Sequence, residues 1–113
     1  MDFNTAANAH RDWKIRLRRY VNGTGEALDE ATVRRDDRCA LGQWLHGLPS
    51  EARDPLVDEL VQEHARFHGC AGDVVAAAQR GERERALEMI GSGTAFAEAS
   101  FQVVSLISRV ATR

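Results

Sequence analysis

Along three long stretches of this chain apolar residues recur every three or four positions, and nowhere do they alternate with polar ones, so the backbone can bury them only as helices. In the first stretch Phe3, Ala6, His10, Trp13, Leu17 and Tyr20 share one face, with polar or basic residues between them. Asn22-Gly23-Thr24-Gly25 then ends the helix, because glycine just past a helix supplies the left-handed cap. In the second stretch Ser50 is the expected N-cap and Pro55 lies in the first turns. Val57, Val61, His64, His68, Ala71, Val75 and Ala78 follow in four-three order to about Arg80, and Gly81 breaks the pattern. A third helix is expected from near Glu82 to the end of the chain, with Met89, Gly93, Phe96, Ser100, Val103, Ile107 and Val110 on one seam. Gly91 and Gly93 weaken it and mark a kink or a close helix crossing.

Between the first two helices, residues 26–38 are acidic and mixed, and read as a connector with a single turn of helix. A short helix over Cys39–His46 follows, capped by Asp36 or Asp37 and ended by Gly47 and Pro49. The fold expected is all-α: an antiparallel four-helix bundle of three long helices plus a short Cys-bearing helix in the 26–49 connector.

A chain of 113 residues has room for one packed core, so a single domain over 1–113 is expected. With 43% hydrophobic and 28% charged residues it is globular rather than disordered. No apolar run approaches the roughly 18–20 residues of a membrane span, and the N-terminus lacks the regions of a signal peptide. A cytoplasmic location with no membrane partner is therefore expected. Fifteen basic against 17 acidic residues, a net charge of −2, argues against nucleic acid as a partner. Charge is uneven along the chain: Arg11, Lys14, Arg16, Arg18 and Arg19 make the first helix basic, and Glu51, Asp54, Asp58, Glu59 and Glu63 make the second acidic at its start. Two solvated faces attracting each other across the bundle account for this.

The histidines break the pattern of polar residues facing solvent. His10, His64 and His68 all fall on apolar seams. Residues four apart lie on one helix face with Cβ atoms about 6 Å apart, so His64 and His68 can present two nitrogens to one point between helices. His10, about midway along the first helix, reaches the same level from an antiparallel partner. A lone seam histidine is more often hydrogen-bonded core than a ligand. Three buried imidazoles without partners would cost a few kcal/mol each, on the order of low-end transfer estimates, and a shared metal ion satisfies all three.

Cys39 is the natural fourth ligand, since one thiolate with three neutral imidazoles makes a closed tetrahedral set suited to zinc. Cys70 lies two residues past His68, faces away from the seam and reads as apolar filler. His46, next to a Gly-Leu-Pro turn, is expected to be exposed and is the first substitute for Cys39. Leu41, Trp44 and Leu45 give the short helix an apolar face, and Gly42 permits close backbone approach, so packing delivers Cys39 to the site. Trp13, three residues after His10 on its seam, supports the site with Leu41, Gly42 and Trp44.

Three segments, Ala9-His10-Arg11-Asp12-Trp13, Asp36 to Leu45 with its Cys-x-Leu-Gly-x-Trp element, and His64-Ala65-Arg66-Phe67-His68, resemble the chemoreceptor zinc-binding domain family. Ala99-Ser100 in the last helix also looks like the family. The resemblance implies a four-helix fold in which His10, Cys39, His64 and His68 bind one zinc ion. Such domains are attached to bacterial chemoreceptors and diguanylate cyclases, some stand alone, and members pair as homodimers. The small residues Ala95, Ala97, Ala99 and Ser100 offer a flat face for such pairing, although core packing explains them equally.

A site filled by protein ligands has no open position for substrate and zinc has no redox chemistry, so a sensor is expected rather than an enzyme. Cys39 is then the redox switch, because oxidation of its sulfur turns a good ligand into a poor one. Zinc availability and an oxidant such as hypochlorous acid are both compatible signals, and the output passes to a partner or another domain. A purely structural zinc clip fits the same residues. Enzyme readings fare worse: a His-Glu-x-x-His peptidase needs Glu where Ala65 stands, and a di-iron site needs Glu at Ala7, Val61 or Ala65. A haem bundle leaves Cys39 without a role.

Overall fold

In a computed structural model describing residues 1–113, six α-helices and no strands form the molecule. They are α1 (Phe3–Val21), α2 (Glu30–Arg34), α3 (Ala40–His46), α4 (Pro55–Gln79), α5 (Arg83–Met89) and α6 (Ala95–Thr112), with a 3₁₀ turn at Ser50–Ala52 before α4. No helix is long and apolar enough to cross a membrane.

Every α-helix start except that of α5 is fixed by a side chain that accepts an otherwise unsatisfied backbone N–H. Asp2 caps α1 at Thr5, Asp29 caps α2 at Thr32, and Thr94 caps α6 at Ala97. For α4 the cap is Asp54, not Ser50, which opens the 3₁₀ turn instead. The reason is Pro55: a residue before proline is held out of the helical region, and Asp54 takes ψ 173°. At α3 neither Asp36 nor Asp37 is the cap. Cys39 itself caps the helix, its sulfur accepting from Gly42 N at 3.3 Å.

The expected third helix is two helices. Gly93 takes φ +80°, outside the helical range, and Thr94 then starts a new helix, so the seam breaks between Met89 and Ala95 rather than kinking.

The bundle runs up, down, up, down. His10 packs on His64 and Trp13 on His68, and Asn22 just past α1 meets Arg83 just past α4, so α1 and α4 advance together. Arg113 reaches back to Asp54, and Phe67 packs on Phe96, so α6 descends against both. The connector carrying α2 and α3 is the other descending element. The helix that brings His64 and His68 level with His10 is therefore parallel to α1, where an antiparallel one was expected. His10 comes about two turns after the start of α1, and His64 and His68 about two and a half and three and a half turns after the start of α4, so two helices that run the same way bring the three to one level.

Because α4 is packed against α1, α2 and α6, it buries more than one seam. Leu60, Phe67 and Val74 are fully buried beside Val57, Ala71 and Val75, whereas Val61 and Ala78 are only half-buried. Ala99 lies wholly inside the core. The two oppositely charged stretches are not joined by any ion pair: Arg16 pairs with Glu26, Asp58 with Arg53 and Glu63 with Arg66. Asp54 pairs instead with Arg113 at the far end of α6, and the other pairs named join residues close by in the chain.

Candidate metal centre

His10, His64 and His68 are 2%, 1% and 2% exposed, so all three imidazoles are core residues. With half-buried Cys39 they form a cluster whose four donor atoms lie within 4.8 Å of one another. Of the sequence-derived candidates these four come together. Exposed His46 stands apart with its Nε2 3.0 Å from Asp36, and Cys70 lies near Met89 and Phe96 on the far side of α4.

Three elements position the donors. α1 carries His10, whose Nδ1 donates to the Ala6 carbonyl one turn earlier at 2.7 Å. α4 carries His64 and His68, and His68 Nδ1 donates to the Val33 carbonyl on α2 at 2.9 Å. These bonds settle the tautomers: in His10 and His68 the proton sits on Nδ1, leaving the Nε2 lone pair for the cluster. α3 brings Cys39 as its first, capping residue, with Sγ 3.2 Å from His64 Nε2 and 3.8 Å from His68 Nε2. The two α4 nitrogens are 3.1 Å apart.

Leu41, Gly42, Trp44 and Trp13, which the sequence offers as supports, lie as follows. Leu41 is buried, and Trp44 meets Phe3 edge-on at 5.3 Å, fastening α3 to the start of α1. Trp13 packs edge-on against His68 at 6.1 Å, with the Arg16 guanidinium 3.8 Å above its ring. Gly42 is buried where a Cβ would stand 1.6 Å from the Asp36 carbonyl oxygen. Three contributors escape a reading of periodicity. The carbonyls of Ala6 and Val33 orient imidazoles, and backbone atoms carry no signature in a sequence. Phe67 packs edge-on against both His10 and His68, and its place between His64 and His68 is the one signal that could have marked it.

Burial dominates the electrostatics. It pushes His10 and His68 below the ordinary imidazole value, against the opposing pull of the Ala6 and Val33 carbonyls. It takes His64 down to about 2, with the two neighbouring imidazoles adding to the effect. All three are thus neutral and able to act as donors at neutral pH. Burial pushes the Cys39 thiol up, opposed by the N–H groups of Gly42 and Leu41.

The donor set fits a zinc ion. Among buried side-chain nitrogens and oxygens, only His10 Nε2 lacks a hydrogen-bond partner, and it faces the other donors. A tetrahedral site with ordinary zinc bond lengths needs N···N edges of about 3.3 Å and S···N edges of about 3.6 Å. The distances between Cys39, His64 and His68, 3.1–3.8 Å, lie around those values. A groove of about 430 Å³ between α1 and the connector, walled by Trp13, Leu28 and Val33, leads from solvent to His10, Cys39 and His68.

A family model described as the chemoreceptor zinc-binding domain matches residues 10–75, more than half of the chain, from His10 through Cys39, His64 and His68. No curated protein and no solved structure is matched by the chain.

Proposed function

The chain belongs to the chemoreceptor zinc-binding domain family, and we propose that it is a regulatory domain that holds one zinc ion through His10, Cys39, His64 and His68 and passes the state of that site to an output module. The observation that carries the reading is the convergence of four donors around a buried, unpartnered His10 nitrogen. Bound zinc supplies a cross-link and no redox chemistry of its own, and four protein ligands leave it no position for a substrate, so the role is regulatory rather than catalytic.

The residues divide the work unequally. His10, His64 and His68 ride on helices of 19 and 25 residues and keep their places through core packing. Cys39 rides on α3, seven residues long, and is the donor that can leave. The groove admits a small oxidant to its sulfur. With hypochlorous acid the thiolate takes up the hydroxyl group, giving two electrons to chlorine, which departs as chloride; the product is a sulfenic acid, a poor ligand. Loss of that tie frees α3 and alters the surface that an output domain feels, either a chemoreceptor signalling module or a diguanylate cyclase. Zinc scarcity would act at the same sulfur. We place the domain over residues 1–113, in the cytoplasm and paired with a second copy.

Metal content of the purified protein tests the reading. The wild type should carry about one zinc per chain, and Cys39→Ala or His64→Ala should lose or weaken it. Cys70→Ala should keep it. Full zinc retained in Cys39→Ala would remove both the ligand set and the oxidant switch.

A further inference from the structure

What holds His68 in place lies outside its own helix. The carbonyl that fixes its tautomer belongs to Val33, 35 positions earlier in the chain, on a helix of five residues. So short a helix does not persist without tertiary anchoring. His10 differs, since its acceptor, Ala6, is on α1 itself.

The anchor is the next residue. Arg34 lies flat along α4: Nη1 donates to the Gly69 carbonyl at 3.1 Å, Nη2 pairs with Asp73 at 2.9 Å, and Nε pairs with Glu30 at 2.9 Å. Its stem crosses α4 at Gly72, where a Cβ would come 2.3 Å from Arg34 Cγ and 3.0 Å from Cζ and Nε. At Gly69, one turn earlier, a Cβ would meet nothing within 4 Å.

We propose that Arg34 is a positioning residue for the metal site. Seated in the notch that Gly72 leaves on α4, it holds the Val33 carbonyl against His68 Nδ1 and thereby keeps the Nε2 lone pair aimed at the other donors. The step from His68 geometry to zinc rests on the zinc reading above. The ion pairs involved are solvent-exposed, with Arg34 and Asp73 side chains 37% and 58% accessible, so they add little to global stability. The effect of Arg34 therefore belongs to the hold on zinc, where displaced supporting hydrogen bonds weigh heavily.

The test compares Arg34→Ala, Arg34→Lys, Gly72→Ala and Gly69→Ala by zinc competition against a chromophoric chelator, and by ¹⁵N NMR of the imidazoles in the zinc-stripped proteins. Arg34→Ala and Gly72→Ala should hold zinc about tenfold more weakly or worse. In both, the His68 signals should move from the Nδ1–H tautomer toward a mixture, while those of His10 stay put. Arg34→Lys should fall between, because an ammonium cannot span the Gly69 carbonyl and Asp73 together. Gly69→Ala should match the wild type, although it raises helix propensity as much as Gly72→Ala does. Wild-type zinc affinity or unmoved His68 signals in Arg34→Ala and Gly72→Ala would overturn the proposal, and so would equal weakening in Gly69→Ala. A wild type that takes up no zinc would defeat the zinc reading instead, and the His68 signals of the zinc-stripped variants would still decide whether Arg34 positions it.

Discussion

A methyl group at position 42 has nowhere to go, because its carbon would stand 1.6 Å from the Asp36 carbonyl oxygen. The obstacle is backbone, which cannot rotate aside as a side chain does. Gly42→Ala must therefore push α3 away from the 36–37 segment, taking with it the Gly42 N–H that contacts the Cys39 sulfur. We expect a loss of roughly 3 kcal/mol in urea unfolding, the upper part of the usual overpacking range, together with weaker zinc retention. An alanine variant as stable as the wild type would show that α3 can repack freely. That Gly42 serves a close approach is legible from its place between Leu41 and Trp44. Its partner is not, since Asp36 is identified only by how the connector folds back. The same limit applies to His10: its position on an apolar seam announces burial, but which nitrogen is left free depends on the Ala6 carbonyl beneath it.

Elements differ in how firmly they are held, and the metal site joins strong ones to weak ones. α4 and α6 pack against each other along most of their length, whereas α3 has a few apolar side chains and one capping thiol. If Cys39 is the switch, mild hypochlorous acid should release zinc and raise hydrogen exchange over residues 30–49, leaving α4 and α6 protected. Release of zinc with unchanged protection there would reduce the domain to a structural clip. Sequence periodicity finds α1 and α4 readily because long amphipathic stripes repeat the signal many times. It places α2 only as a single turn somewhere in the 26–38 connector, because five residues give one turn and one buried side chain, Val33. It also joins α5 to α6, because Met89 and Phe96 remain in helical register across a break made by the positive φ of Gly93.

For the whole molecule, three neutral imidazoles in one core make stability depend on pH. Burial lowers all three, so below about pH 6.5, the ordinary imidazole value, the unfolded chain takes up protons that the folded one refuses. Stability is then present above that pH and is lost as pH falls, by up to roughly 1.4 kcal/mol per pH unit for each imidazole. Zinc-stripped protein should show a urea midpoint that is level above pH 7 and drops between pH 6.5 and 5, above the range where ordinary carboxylates titrate. A midpoint that holds or rises on acidification would contradict neutral burial. The sequence by itself determined that the chain is helical, which seams are apolar, and that three imidazoles and one thiol are candidate donors, because periodicity and side-chain chemistry are local properties. Tertiary structure alone decided that α1 and α4 run in the same direction, that a carbonyl of α2 orients His68, and that a cysteine caps the helix it rides on. Those features depend on the relative height and rotation of packed elements, which no single stretch of sequence encodes.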